Sequence, residues 1–231
     1  MRGDWEATMM HAEQVARCRH PDEKANPYDQ RYSGEECYWG TSPSALCDRV
    51  IELVGARAGA GLSVIDLGCG EGRNAVYFAR HGFRVTGLDS SLPGLEKMRR
   101  LATEAGVAVE TVHANATLDI LSRAYDVVFS TGFVHYVPPE RRREWFEHLK
   151  AQTAPGGLNA HSALVGKSFL DPAPDADAGA FLFTSGELMG YYGDWEIVYS
   201  VEEIFDCMSS GIPHKHAVNR IVARRWQGAS Q

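Results

Sequence analysis

No stretch of the sequence approaches the roughly 20 consecutive apolar residues that a membrane-spanning helix requires. Basic residues are outnumbered, 23 Lys and Arg against 30 Asp and Glu, for a formal charge of −7. That balance argues against a polyanionic partner such as nucleic acid, whose binders carry a basic surplus. The basic run Arg141, Arg142 and Arg143 stands among Glu140, Glu144 and Glu147, a pattern that reads as a solvated helix face. Cysteine is scarce: Cys18, Cys37, Cys47, Cys69 and Cys207 are scattered, with no C-x-x-C pair. This excludes a disulfide framework and a zinc-knuckle spacing, and leads us to expect a reducing, cytoplasmic setting. The opening MRGDWEATMMHAEQ is too polar for a secretory leader.

What is present is a regular alternation. Seven short apolar runs, at 62–68, 83–89, 107–113, 125–131, 158–165, 195–201 and 216–226, read as strands. Helical patterns at 72–82, 91–106, 139–152 and 185–193 fall between them, and Ser42 with Pro43 reads as a further helix start. Such alternation predicts an α/β fold: a Rossmann-like, doubly wound, mostly parallel seven-stranded sheet, with helices on both faces and an antiparallel last strand. Residues 1–27 read as an N-terminal extension, helical over the first 25 with Trp5, Met9, Ala12 and Ala16 on one face. Residues 28–231 read as one domain. PGG at 155–157 reads as a turn, 166–181 as a loop, and Thr184 with Glu187 as a capping box.

The segment VIDLGCGEGRN, residues 64–74, places Gly68, Gly70 and Gly72 where a strand hands over to a helix. Dinucleotide enzymes favour G-x-G-x-x-G there, with a pyrophosphate on the helix N-terminus. Here the spacing is G-x-G-x-G, and the flanking Asp66 and Glu71 would repel a phosphate. Asp66 suits an ammonium group. Asp89, at the end of the second strand and nineteen residues beyond Gly70, suits both hydroxyls of a ribose; its alternative role is a helix cap with Ser90. A ligand with an amino-acid end and a nucleoside end is S-adenosylmethionine.

On these residues the chain resembles the class I S-adenosylmethionine-dependent methyltransferases, from about Tyr28 to Trp226. VIDLGCGEGRN is similar to their first motif and VTGLD to their second. Within the class, YDQRYSGEECYWGTSPS, CGEGRNAVYFARHGFRVTGLD and HKHAVNRIVAR resemble the tellurite-resistance (TehB-like) and thiopurine methyltransferase-like branch. The resemblance implies a cofactor site drawn from Tyr28, Tyr32, Trp39, Asp66, Gly68, Cys69, Gly70, Asn74, Asp89, Ser90, Asn115, Ala116, Ser130, Thr131 and Gly132. It also implies S-adenosylhomocysteine as product. The family often places an aspartate against the adenine amino group; this chain has Asn115, which either accepts that hydrogen bond without charge or is a turn residue.

The methyl donor is already activated by its sulfonium charge, so the protein needs to position, exclude water and take at most one proton. Tyr28, Tyr32, Tyr38 and Trp39 read either as an aromatic lid attracted to the sulfonium or as packing of an N-terminal arm. His135, after the fourth strand, is a candidate base or a packing residue. His214 and His216, with Arg220, are candidates to hold an oxyanion or accept a thiol proton. They also fit a solvated hairpin, or half a metal site with no obvious third ligand, and no metal is assigned. His161 reads as structural. The expected acceptor is a small molecule, a thiol or a chalcogen oxyanion such as tellurite or selenite. The alternatives are a natural product or peptide acceptor, and a non-catalytic binder of the cofactor. Oligomeric state is not readable, a homodimer being one option.

Overall fold

The computed structural model describes residues 26–118, 121–174, 179–208 and 211–227. The helix expected over the first 25 residues lies outside them. Seven strands form one sheet: β1 (Ser63–Leu67), β2 (Arg84–Asp89), β3 (Val109–His113), β4 (Tyr125–Thr131), β5 (Thr153–Val165), β6 (Glu196–Cys207) and β7 (His214–Arg224). Their order is β3-β2-β1-β4-β5-β7-β6. Strands β1 to β5 pair in parallel, and β7 runs antiparallel to both β5 and β6. The expected Rossmann-like architecture with its reversed last strand is present.

The helices are α1 (Pro27–Arg31), α2 (Ala45–Val54), α3 (Arg73–Arg80), α4 (Leu92–Glu104), α5 (Pro139–Ala151) and α6 (Glu187–Gly190). On one face of the sheet, Leu46 and Val50 of α2, Phe78 of α3 and Leu95 and Met98 of α4 are buried against Val64, Val127 and Phe129. On the other, Phe146 and Leu149 of α5 and Leu188 of α6 are buried with Val128 and Ile221. Both faces are therefore dry, as the near-continuous apolar runs of β1 and β4 require. Chain direction across the sheet reverses between β1 and β4, and ligands of open α/β sheets bind at the carboxyl ends of the strands there.

Three local expectations are corrected. Helix α2 is capped not by Ser42 but by Ser44, whose hydroxyl accepts from the Leu46 N–H. PGG is not a separate turn but a bulge inside β5: Tyr125 pairs with Thr153 and Val127 with Leu158, while Gly156 and Gly157 bond to Arg225. Strand β6 extends well past residue 201, to Cys207. Because Val165, the last residue of β5, pairs with Ala217, the hairpin of β6 and β7 overhangs the carboxyl edge of the sheet.

The ring of Phe146, fully buried, stacks on Tyr191 with centroids 4.5 Å apart and meets Trp145, His161 and Tyr192 edge-on or at wider angles. Truncation by Phe146→Ala is expected to cost about 3–5 kcal/mol, read as a lower urea midpoint with an unchanged m-value.

Candidate active site

Asp66 is the penultimate residue of β1 and sits beneath the start of α3. It is 1% exposed, and its Oδ2 has no hydrogen-bond partner among the described residues. Burial, followed by the negative charge of Asp89, pushes its carboxyl up to about 8, against the pull of Arg73 and the Ala75 main-chain N–H. An apolar side chain would be cheaper here, since a buried acceptor without a donor costs free energy.

Asp89 is held differently. Its Oδ2 accepts from the Gly70 N–H and its Oδ1 from the Ser91 N–H, both at 2.8 Å. Burial raises its carboxyl, while these N–H groups pull it back down. The helix cap it was weighed as belongs to Ser91, whose hydroxyl accepts from Gly94. The Ser90 N–H acts on the same carboxylate, so three main-chain donors hold it in place.

The glycine bend is walled by aromatics. A Cβ on Gly68, whose φ is +67°, would fall 2.5 Å from the Phe133 ring, and one on Gly70 would fall 2.9 Å from the Tyr32 hydroxyl. Tyr32 is 5% exposed and accepts from the Trp39 indole at 3.1 Å. Tyr28 lies tilted against Tyr32, and its hydroxyl meets that of Tyr136 at 2.5 Å. Sequence reasoning missed Phe133 and Tyr136. Their position directly after the β4 rim residues was the available signal.

Charge straps this arm to the bend. Lys97 on α4 donates to Glu71 in the bend at 2.7 Å and to the Glu36 carbonyl at 2.6 Å, with both side chains of the ion pair buried. Arg73 donates to the Trp39 carbonyl, the Ser91 hydroxyl to Asp29, and the Asn26 amide to the Ser90 hydroxyl. From sequence Glu71 was read only as repelling a phosphate, and Lys97 was not singled out.

Other expected site residues have partners that define their roles. Asn74 accepts from the Ser44 N–H and donates to Thr131, joining α2, α3 and the end of β4. The Cys69 thiol faces the core beside Gly87 and Met98, so its main chain alone borders the bend. The Asn115 side-chain oxygen accepts from the N–H and hydroxyl of Thr117, which favours the turn role. The Ala116 carbonyl accepts from the Trp145 indole. Ser130 is buried, with no partner for its hydroxyl among the described residues, and the Gly132 N–H donates to Ser162. His135 is 3% exposed against Tyr136, and its carbonyl accepts from Phe181; a side chain so enclosed fits the packing role. His161 is buried, and burial lowers its imidazole to about 3, so it is neutral as expected of a structural residue. Arg220 forms an ion pair with Glu203 instead of serving the histidines. His214 and His216 face each other with Nε2 atoms 2.9 Å apart, and Cys207 lies across the hairpin from His214.

A family model described as tellurite resistance protein TehB matches residues 48–220. The chain belongs to the TehB family. Among TehB relatives, the probable S-adenosyl-L-methionine-dependent methyltransferase TehB of Haemophilus influenzae is 28% identical over 135 residues, 58% of this chain and 46% of that protein. A ubiquinone biosynthesis O-methyltransferase of Pectobacterium atrosepticum is 44% identical over 82 residues, 34% of this chain and 33% of that one. The chain thus spans about half the length, or less, of these curated relatives. The crystal structure of Haemophilus influenzae TehB superposes with a TM-score of 0.69 at 22% identity, covering 86% of this chain and 65% of that one. A structure from echinomycin biosynthesis, concerned with conversion of a disulfide bond into a thioacetal group, gives 0.66 at 21% identity over 88% and 92%. These superpositions share the fold.

Two outcomes test the electrostatics of this TehB-family bend. Asp66 holds its proton in the folded chain from about pH 4 to about pH 8, where the unfolded chain has lost it. The folded state binds the extra proton, so this group withdraws stability as pH rises through that window. Asp66→Asn should flatten the decline of Tm between pH 5 and 8 relative to wild type in the absence of ligand. Parallel Tm profiles would show Asp66 ionised throughout. Lys97→Met strands the Glu71 charge and is expected to cost about 3–5 kcal/mol in chemical denaturation, most of it recovered when Glu71→Leu is added.

Proposed function

We propose that the protein transfers a methyl group from S-adenosylmethionine to a small acceptor, a thiol or a chalcogen oxyanion. The observation that carries this reading is the buried Asp66 oxygen without a donor, next to a bend whose second carboxylate is held in place by main-chain N–H groups. An ammonium group satisfies the first, and paired hydroxyls suit the negative charge of the second. The donor set therefore fits the cofactor from both ends. A dinucleotide would also place a ribose on Asp89 but would bring its pyrophosphate against Asp66 and Glu71.

When bound, the cofactor supplies a methyl group on a positively charged sulfur. The residues of this chain then have three tasks. Asp66 and Asp89 fix the two ends, with Gly68 and Gly70 allowing close approach of the backbone. Tyr28, Tyr32, Phe133 and Tyr136 exclude water and offer aromatic faces to the sulfonium, each worth about 0.5–2 kcal/mol. The overhanging hairpin and the loop after β4 border the acceptor side. No buried acid–base pair is needed for a soft acceptor, since a thiolate or a reduced chalcogen oxyanion attacks in its ionised form. The family description supports a chalcogen acceptor.

The test is release of S-adenosylhomocysteine in the presence of thiols, selenite, tellurite, phenols and amines. Turnover is expected on the first three. Cofactor binding with no turnover on any of them would establish the binder alternative instead. Asp89→Ala is expected to weaken cofactor binding about 100-fold by calorimetry, roughly 3 kcal/mol.

A further inference from the structure

At the tip of the hairpin, outside the cofactor bend, three soft or borderline ligand side chains converge. Cys207 pairs directly with His214 across the β6–β7 ladder, and His216 lies two residues along β7. Residues opposite each other, and residues two apart on one strand, share a face of the sheet. The ligand atoms of Cys207, His214 and His216 accordingly lie within 4.8 Å of one another, all half-buried. On the rung between, Asp206 pairs with Lys215 on the opposite face of the sheet, and their ion pair at 2.5 Å holds the strand ends in register.

His214 is already oriented as a ligand. Its Nδ1 lies 2.8 Å from the Ile212 carbonyl oxygen, which can only accept, so Nδ1 carries the proton and Nε2 presents its lone pair. A ligating histidine is commonly fixed in this way by a hydrogen bond from its other ring nitrogen. That Nε2 accepts a hydrogen bond from the Nε2–H of His216, 2.9 Å away, so metal binding replaces this shared proton and shifts His216 to its Nδ1–H tautomer. Two Zn–N bonds of about 2.0–2.1 Å at a tetrahedral angle hold their nitrogens roughly 3.3 Å apart, so an ion fits between the rings after an opening of a few tenths of an ångström. The ring of Phe205 packs beside His216 with centroids 5.6 Å apart and gives the site an apolar wall.

We propose that Cys207, His214 and His216 form a binding site for a borderline-soft divalent metal, Zn(II) by ligand chemistry. One thiolate with two imidazoles selects zinc over the hard cations, and three protein ligands leave a fourth tetrahedral position open to an external donor. Binding expels the thiol proton to solvent and ties together the two strand ends on either side of the hairpin turn. The sequence expectation of no metal rested on the missing third ligand. Cys207 supplies it through strand register, at a separation no linear motif describes.

The experiment uses the full-length chain with Cys18→Ser and Cys37→Ser, stripped of metal and titrated with Co(II) and then Zn(II). The expected result is one cobalt per chain with a tetrahedral visible spectrum and a thiolate charge-transfer band that Zn(II) displaces. Cys207→Ser should abolish that band, and His214→Gln or His216→Gln should weaken zinc at least about 100-fold. Circular dichroism and the metal-free melting point should stay at the parent values, because the substituted side chains lie on an overhanging hairpin. The proposal is overturned if the parent shows no thiolate band, if the band survives Cys207→Ser, or if the histidine variants bind zinc as tightly as the parent.

Discussion

Two backbone N–H groups, from Gly70 in the bend and Ser91 at the head of α4, converge on the carboxylate of Asp89. This fixes the conformation of a loop that would otherwise carry glycine's full freedom. It also ties the carboxyl end of β1 to that of β2, so the cradle has a defined shape. Asp66 depends on that shape. Its raised carboxyl reflects burial first and the nearby Asp89 charge second. Asp66 is therefore held protonated in the free chain. On the proposed reading, a ligand carrying a positive amino group would favour its ionised form and supply the absent donor together.

Around this cradle the chain invests in a cover. Residues 26–44 cross the bend from Asn26 on Ser90 to Ser44 on Asn74, with the Lys97–Glu71 pair as their buried anchor. Buried ion pairs contribute little net stability compared with apolar packing, yet removing one partner is costly. Such a pair is well suited to specify one docked position for an arm that has little helix of its own. The same arm brings Tyr28 and Tyr32 onto the glycines, and β4 brings Phe133 and Tyr136 from the other side. An aromatic enclosure built from two distant segments results.

Most of the framework was legible because its signals are local. Alternating apolar runs gave the seven strands, and the glycine spacing with Asp66 and Asp89 located the cradle. What failed to be legible was whatever depends on register or on a partner far along the chain. Ser44 rather than Ser42 caps α2 because Asn74, thirty residues on, accepts its N–H. The bond from Thr117 to the Asn115 oxygen gave no sign of itself in a linear reading. Arg220 looked like a companion to His214 and His216 until β6 placed Glu203 beside it. Cys207 drew no notice because nothing in a linear reading pairs it with His214. The acceptor is the least legible element, since loops select it and those after β4 and β5 follow no periodic pattern.

A crystal structure of the full chain with S-adenosylhomocysteine bound tests the cradle most directly. The two-carboxylate reading requires the amino group of the ligand within hydrogen-bond reach of Asp66 Oδ2, directly or through one water, and the ribose hydroxyls on Asp89. A ligand bound elsewhere, or one that leaves Asp66 enclosed without a new donor, would contradict it.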